Sequence, residues 1–179
     1  MKKNFNLFVA ALMVCVTLFV MSCGTTDKCE TVNCGANGVC VDGTCNCDAG
    51  YEGTNCSTVS RDKILGVWTV KTATCAIDSC GKILPQDSNN CPTNYKVTFG
   101  AGNTISKFTA SNWASFGAIG TGTFNASTNT MTFDTMTVTS GTQVSKVIGN
   151  GIYSADSIKL NYTIISGCVK VTAQEVLKK

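Results

Sequence analysis

The chain has 179 residues, with 14 lysines and arginines against 11 acidic residues. That length accommodates one ordinary domain, or a small domain and a medium one; with Lys2 and Lys3 set aside the charge is close to balanced, and no basic patch is left to meet nucleic acid. Histidine is absent and cysteine occurs 12 times, which excludes histidine triads, bases and metal ligands and argues against a reducing compartment.

The chain opens with Lys2 and Lys3 and an apolar run, Leu7 to Met21, broken only by Thr17. The run is short for a membrane span and has the form of a secretory leader. It ends in Val20-Met21-Ser22-Cys23-Gly24, which resembles the lipobox of bacterial lipoproteins. The resemblance implies cleavage after Ser22, diacylation of the Cys23 thiol by palmitate-like chains, and acylation of the new amine. The alternative is an ordinary signal peptide with Cys23 a spare thiol. Parity favours lipid: with Cys15 lost in the leader and Cys23 acylated, ten cysteines remain, an even number that can all pair. Two or three acyl chains anchor a protein stably where one is marginal. Gly24 stands where an inner-membrane retention signal would put Asp, so the expected location is the outer membrane, facing the periplasm or the cell surface. The expected organisation is a signal peptide at 1–22, a lipidated tether at 23–28, a crosslinked module at 29–56, a linker at 57–60 and a second domain at 61–179.

The module reads Cys29-x4-Cys34-x5-Cys40-x4-Cys45-x-Cys47-x8-Cys56. So short a run holds little apolar core, so covalent links must replace burial. Zinc is disfavoured because Cys-x2-Cys pairs are missing and the compartment is oxidising. Asp42-Gly43 has the composition of a tight hairpin turn, and Gly50 and Gly53 flank Tyr51 where the last loop must bend. Six cysteines allow 15 pairings, and spacing alone does not choose. The run Gly38 to Cys56, with its Cys47-Asp48-Ala49-Gly50-Tyr51 segment, resembles the epidermal growth factor-like domain in its short tenascin form. The resemblance implies the pairs Cys29–Cys40, Cys34–Cys45 and Cys47–Cys56. Calcium-binding members place acids beside the first cysteine. Here Asp27 and Glu30 are the weak candidates, against Lys28 in the usual acidic position and too few oxygens for a hard cation. No cofactor is expected.

From Arg61 onward β-branched residues alternate with polar ones. Expected strands cover Leu65–Thr74, Tyr95–Phe99, Ile105–Thr109, Ile119–Phe124, Met131–Val138, Val144–Tyr153, Ile158–Ile164 and Val169–Ala173. Met131 and Phe133 have one parity and Met136 and Val138 the other, which places a bulge near Asp134-Thr135. Eight strands with short connections and no crossover helix give an all-β, antiparallel up-and-down barrel, with a β-sandwich as the alternative. Gly66-Val67-Trp68 at the head of the first strand resembles the opening of lipocalin-like domains, in which the Trp plugs one barrel end. Pairing the first strand with the last at Trp68–Glu175 brings Cys75 opposite Cys168, leaving Cys80 to join Cys91. Trp113 and Phe116, in a stretch without alternation, are candidate ligand contacts if they lie at the barrel mouth; otherwise they close the barrel end.

These features favour a non-enzymatic, membrane-anchored binding or adhesion protein with a protein or glycan partner. The runner-up is a carrier of a small apolar or glycan ligand in the barrel; small inward side chains would leave it a cavity and large ones would not. Hydrolysis by carboxylates such as Asp134 and Asp156 is a distant third, since nothing in the sequence pairs them.

Overall fold

The computed structural model describes residues 27–83, 91–115 and 117–179. The leader, Cys23 and Phe116 lie outside them. The chain forms a small disulfide-rich module followed by a closed eight-stranded antiparallel barrel.

In the module, β1 (Gly38–Val41) and β2 (Thr44–Cys47) form a hairpin. Its turn residues, Asp42 and Gly43, have φ of 50° and 85°, the left-handed geometry that a two-residue turn needs to match strand twist. Disulfides join Cys29–Cys40, Cys34–Cys45 and Cys47–Cys56, the pairs the family resemblance implies. The segment expected as a linker is structured. Strand β3 (Tyr51–Glu52) pairs with β4 (Thr58–Val59), and a 3-10 helix runs from Ser60 to Ile64.

The barrel comprises β5 (Gly66–Ser79), β6 (Lys82–Ile83), β7 (Lys96–Ala101), β8 (Lys107–Ser111), β9 (Ile119–Asn125), β10 (Thr130–Phe133), β11 (Met136–Ser140), β12 (Gln143–Ser154), β13 (Ser157–Ser166) and β14 (Val169–Lys178). Neighbours in sequence pair around the wall, β14 returns to β5, and β10 closes onto both β9 and β12. Strand β6 is a short appendage on β5. Strands β10 and β11 act as one interrupted strand. Met131 faces Gly151 while Met136 faces Val147, so one extra residue sits at Asp134–Thr135. This is the expected bulge, and it lets Met131, Phe133 and Met136 all turn inward and be buried.

The seam register differs from the expected one. Glu175 pairs with Ala73 rather than Trp68, a slip of five residues along β5, with Lys71 bulged out. The first strand is 14 residues long and continues past Thr74 to Ser79, so the last strand zips further along it. As a result Val169 lies opposite Ser79, and the adjacent Cys168 bonds Cys80. Cys75 faces Ala173 and bonds Cys91. The expected pairs Cys75–Cys168 and Cys80–Cys91 are therefore replaced by Cys75–Cys91 and Cys80–Cys168: the slip changes the neighbour of each side chain, and the bulge at Lys71 turns Ala73 and Cys75 toward the core while Trp68 and Glu175 stay inward. The Cys80–Cys168 link spans 88 residues. Replacing both residues by serine should cost about 2–4 kcal/mol, mainly by freeing the unfolded chain, seen as a lower urea midpoint with a steeper slope, because the unlinked chain exposes more surface on unfolding.

Candidate functional site

Two regions bear on function: the lumen of the barrel and the seam between barrel and module.

Alternation along each strand sends one side chain in two into the lumen, and these are large. Trp68, Phe99, Phe108, Trp113, Met131 and Leu160 are all at most 2% exposed. Trp68 closes the end next to the module. Its Nε1 donates to the Ile64 carbonyl at 2.8 Å, Tyr153 meets it edge-on, and the Lys179 ammonium lies 5.0 Å from the ring centre. That is the plugging role implied by the lipocalin-like opening.

Trp113 closes the other end, the alternative to a ligand contact at an open barrel mouth. It sits in the β8–β9 connection, is 0% exposed, stacks on Phe133 with ring centres 4.0 Å apart, and meets Tyr162 edge-on. The loop is bent to send it inward. Asn112, Ala114 and Ser115 all have left-handed φ, a costly arrangement for residues other than glycine. The neck of the loop is pinned by Asn112, whose amide donates to the Lys96 carbonyl and whose Oδ1 accepts from Gly117 N–H. Space for the indole comes from inward-facing glycines. A Cβ on Gly149 would stand 2.7 Å from Trp113 Cζ2, and one on Gly120 3.0 Å from Cε3. Gly149→Val should therefore overpack the lumen and cost about 1–3 kcal/mol, measurable by thermal melting.

One carboxylate lies among these rings. Glu175 is 2% exposed, and its Oε1 accepts hydroxyl hydrogen bonds from Tyr95, at 2.6 Å, and from Tyr162. Its Oε2 has no partner among the described residues. Burial pushes the Glu175 carboxyl above its usual range, outweighing the two hydroxyls that lower it. Burial, together with the neighbouring carboxylate, raises both tyrosines. Nothing in the sequence marked Glu175 as buried, nor Tyr95 and Tyr162 as its partners.

The other carboxylates considered for chemistry lie apart from one another. Asp134 sits at the β10–β11 break, bonded to Thr121 at 2.7 Å and to Lys107 at 3.2 Å. The Thr121 hydroxyl, then Lys107, hold its carboxyl below the usual range. Asp156 is exposed in the β12–β13 turn. Of the calcium candidates, Asp27 uses Oδ1 to accept the Cys29 N–H, and Glu30 is exposed.

At the seam, the module is seated on the barrel rather than strung from it. Arg61 Nη1 donates to the Thr104 and Lys107 carbonyls at 2.9 and 3.1 Å, fastening the 3-10 helix to the β7–β8 turn. Lys63 Nζ pairs with Glu52 of the module at 2.6 Å and with Asn129 of the barrel at 3.4 Å. Ser60 N–H donates to the Gly50 carbonyl, and Gly50 packs so closely on Ile105 that a Cβ there would be 3.0 Å from Cγ2. Beside these contacts a groove of about 650 Å³ runs between the last module loop and the barrel rim. Sequence reading missed it because each wall comes from a different segment.

The model of the family described as Teneurin-like EGF domain matches residues 29–59. Its end at Val59 coincides with β4, the strand that completes the module. No curated protein matches the chain at a significant level. In residues 29–59 the chain is thus similar to a Teneurin-like EGF domain, joined to an eight-stranded antiparallel barrel.

Proposed function

We propose that the protein is a lipid-anchored, extracytoplasmic lipoprotein of the outer membrane that acts without catalysis, as a binding or adhesion module. The observation that carries this reading over the carrier alternative is the filled lumen. Trp68 and Trp113 occupy its two ends and a continuous cluster of buried side chains lies between them, so recognition falls to the outer surfaces. Five disulfides among the described residues suit an oxidising compartment. Among the described residues no helix is long and apolar enough to cross a membrane; in this reading the anchor is the acylated Cys23. The barrel is the platform and the seated module the contact unit, its hairpin presenting Val39 and Val41 to solvent.

Native mass spectrometry of the protein taken from its own membrane tests this. The expected species begins at Cys23, carries acyl chains, has its ten remaining cysteines oxidised and holds no small molecule. Retention of residues 1–22 or free thiols throughout would overturn the anchored reading. A stoichiometric copurifying molecule would replace it with the carrier.

A further inference from the structure

We propose that the outer wall formed by β12, β13 and β14 lies against a membrane surface rich in anionic headgroups. This deepens the anchored reading above and rests on it: the acyl chains bring the barrel to a bilayer, and this wall decides which side of it turns toward the lipid. Alternation sends half of each strand's side chains outward, and the cross-strand register sets them in rows. Ile165 stands between Lys146 and Lys170, and Lys159 stands between Ile152 and Val176. Between these rows Ile148, Thr163 and Thr172, then Asn150, Asn161 and Gln174, line a shallow groove of about 680 Å³.

Three properties of the wall identify its occupant. The first is charge. Lys146, Lys159, Lys170 and Lys178 are exposed, and none of them forms an ion pair among the described residues. The three strands hold one acid, Glu175, and it is buried in the lumen. Acids lie only at the margins: Asp78, opposite Lys170, accepts the Gly81 N–H, and Asp156 is in the β12–β13 turn. Lysines so placed are drawn to an anionic bilayer by its surface potential. Spread from Lys146 to Lys178 they form no charge run, which is why no basic patch was legible in the sequence. The second is apolar surface on the same wall. Four of the nine large apolar side chains left exposed among the described residues, Val144, Ile148, Ile152 and Ile165, are here, at 37–51% exposure. A lysine beside an isoleucine can lay its stem along that side chain while its ammonium meets a phosphate, and apolar contact adds to the attraction of charge at an interface. The third is reach. Cys23 is four residues from Asp27, so roughly 14 Å of chain at most separates the acylated residue from the module. Arg61 and Lys63 in turn fasten the module to the barrel. This keeps the barrel beside the headgroups and favours the bilayer over a soluble acidic partner.

The test uses the mature chain, residues 23–179, with Cys23→Ser, oxidised and free of acyl chains, so that binding reports the wall and not the anchor. It should sediment with vesicles of mixed phosphatidylglycerol and phosphatidylcholine at least about tenfold more tightly than with phosphatidylcholine alone. Salt near 1 M, where the screening length is about 3 Å, should release it. Lys146→Gln with Lys170→Gln should weaken binding at least about tenfold, a loss of about 1.4 kcal/mol, without changing the melting temperature. Lys28→Gln with Lys96→Gln, the same loss of charge away from this wall, should leave binding as it was. Ile148→Thr with Ile152→Thr keeps the branching that strands favour and should also weaken binding. Equal affinity for the two vesicle types, or undiminished binding by the Lys146→Gln, Lys170→Gln protein, would overturn the assignment. A vesicle-free dimer that the isoleucine variant abolishes would give the wall to a second copy instead. Acyl mass on the native protein is read separately, so failure of the wall is distinguishable from failure of the anchored reading.

Discussion

Trp113→Ala should destabilise the protein by about 3–5 kcal/mol, the usual loss when a fully buried large aromatic is truncated in a core that collapses only in part. The indole stacks on Phe133, meets Tyr162 edge-on and fills the space that Gly120 and Gly149 leave open. No other described side chain replaces it at that end. For a domain of this size the loss corresponds to a fall of roughly 10–20 °C in melting temperature. Trp113→Phe should recover part of it, since a phenyl ring keeps the stacking but not the volume. The variant also separates two roles for the residue. A ligand-contacting tryptophan at an open mouth can be removed with little effect on stability, within about 0.5 kcal/mol, whereas a lumen plug cannot. A Trp113→Ala protein that melts with the parent would return the residue to ligand binding and reopen the carrier reading. If the variant folds, it should take up an apolar fluorescent dye that the parent excludes.

That residue also marks the limit of what the sequence made legible. Strand positions, the antiparallel order and the bulge at Asp134–Thr135 followed from alternation and its change of parity, signals local to each strand. The module's turns were legible for the same reason. The β5–β14 register was not, because it depends on how far each strand extends before its ends are set, and alternation alone carries no length. The five-residue slip and the exchanged pairing of Cys75, Cys80, Cys91 and Cys168 both came from that source. Trp113 was ambiguous because its loop breaks alternation. A loop ring can face the solvent or the lumen, and the deciding partners, Gly120 and Gly149, are neighbours only in the closed barrel. The groove was invisible for a related reason: it exists only once Gly50 has packed against Ile105 and Arg61 has tied the helix to the rim.

The buried carboxyl should make the barrel's stability fall with rising pH. Burial raises the Glu175 pKa above its ordinary 4.5, so the folded protein holds that proton over a range where the unfolded chain has released it. The contribution is complete below the unfolded value and is lost as pH rises through the elevated folded one. Within that window stability should drop by about 1.4 kcal/mol per pH unit, one extra proton being bound in the folded state. The groups packed against the carboxyl are Tyr95 and Tyr162, whose own pKa values are driven upward, so neither ionises first to change the slope. Among the described residues no lysine or arginine forms an ion pair with it. Glu175→Gln keeps an acceptor for both hydroxyls but cannot ionise. Its urea midpoint should lose this pH dependence and exceed the parent's at the alkaline end. Glu175→Leu removes the acceptor. Each buried hydroxyl so orphaned costs about 1–3 kcal/mol, giving about 2–6 kcal/mol for two, toward the lower end where the tyrosines bond to each other. Urea unfolding at a series of pH values reads all three proteins. A parent profile as flat as that of Glu175→Gln would mean that the carboxyl is reached by water and that the lumen is not dry around it.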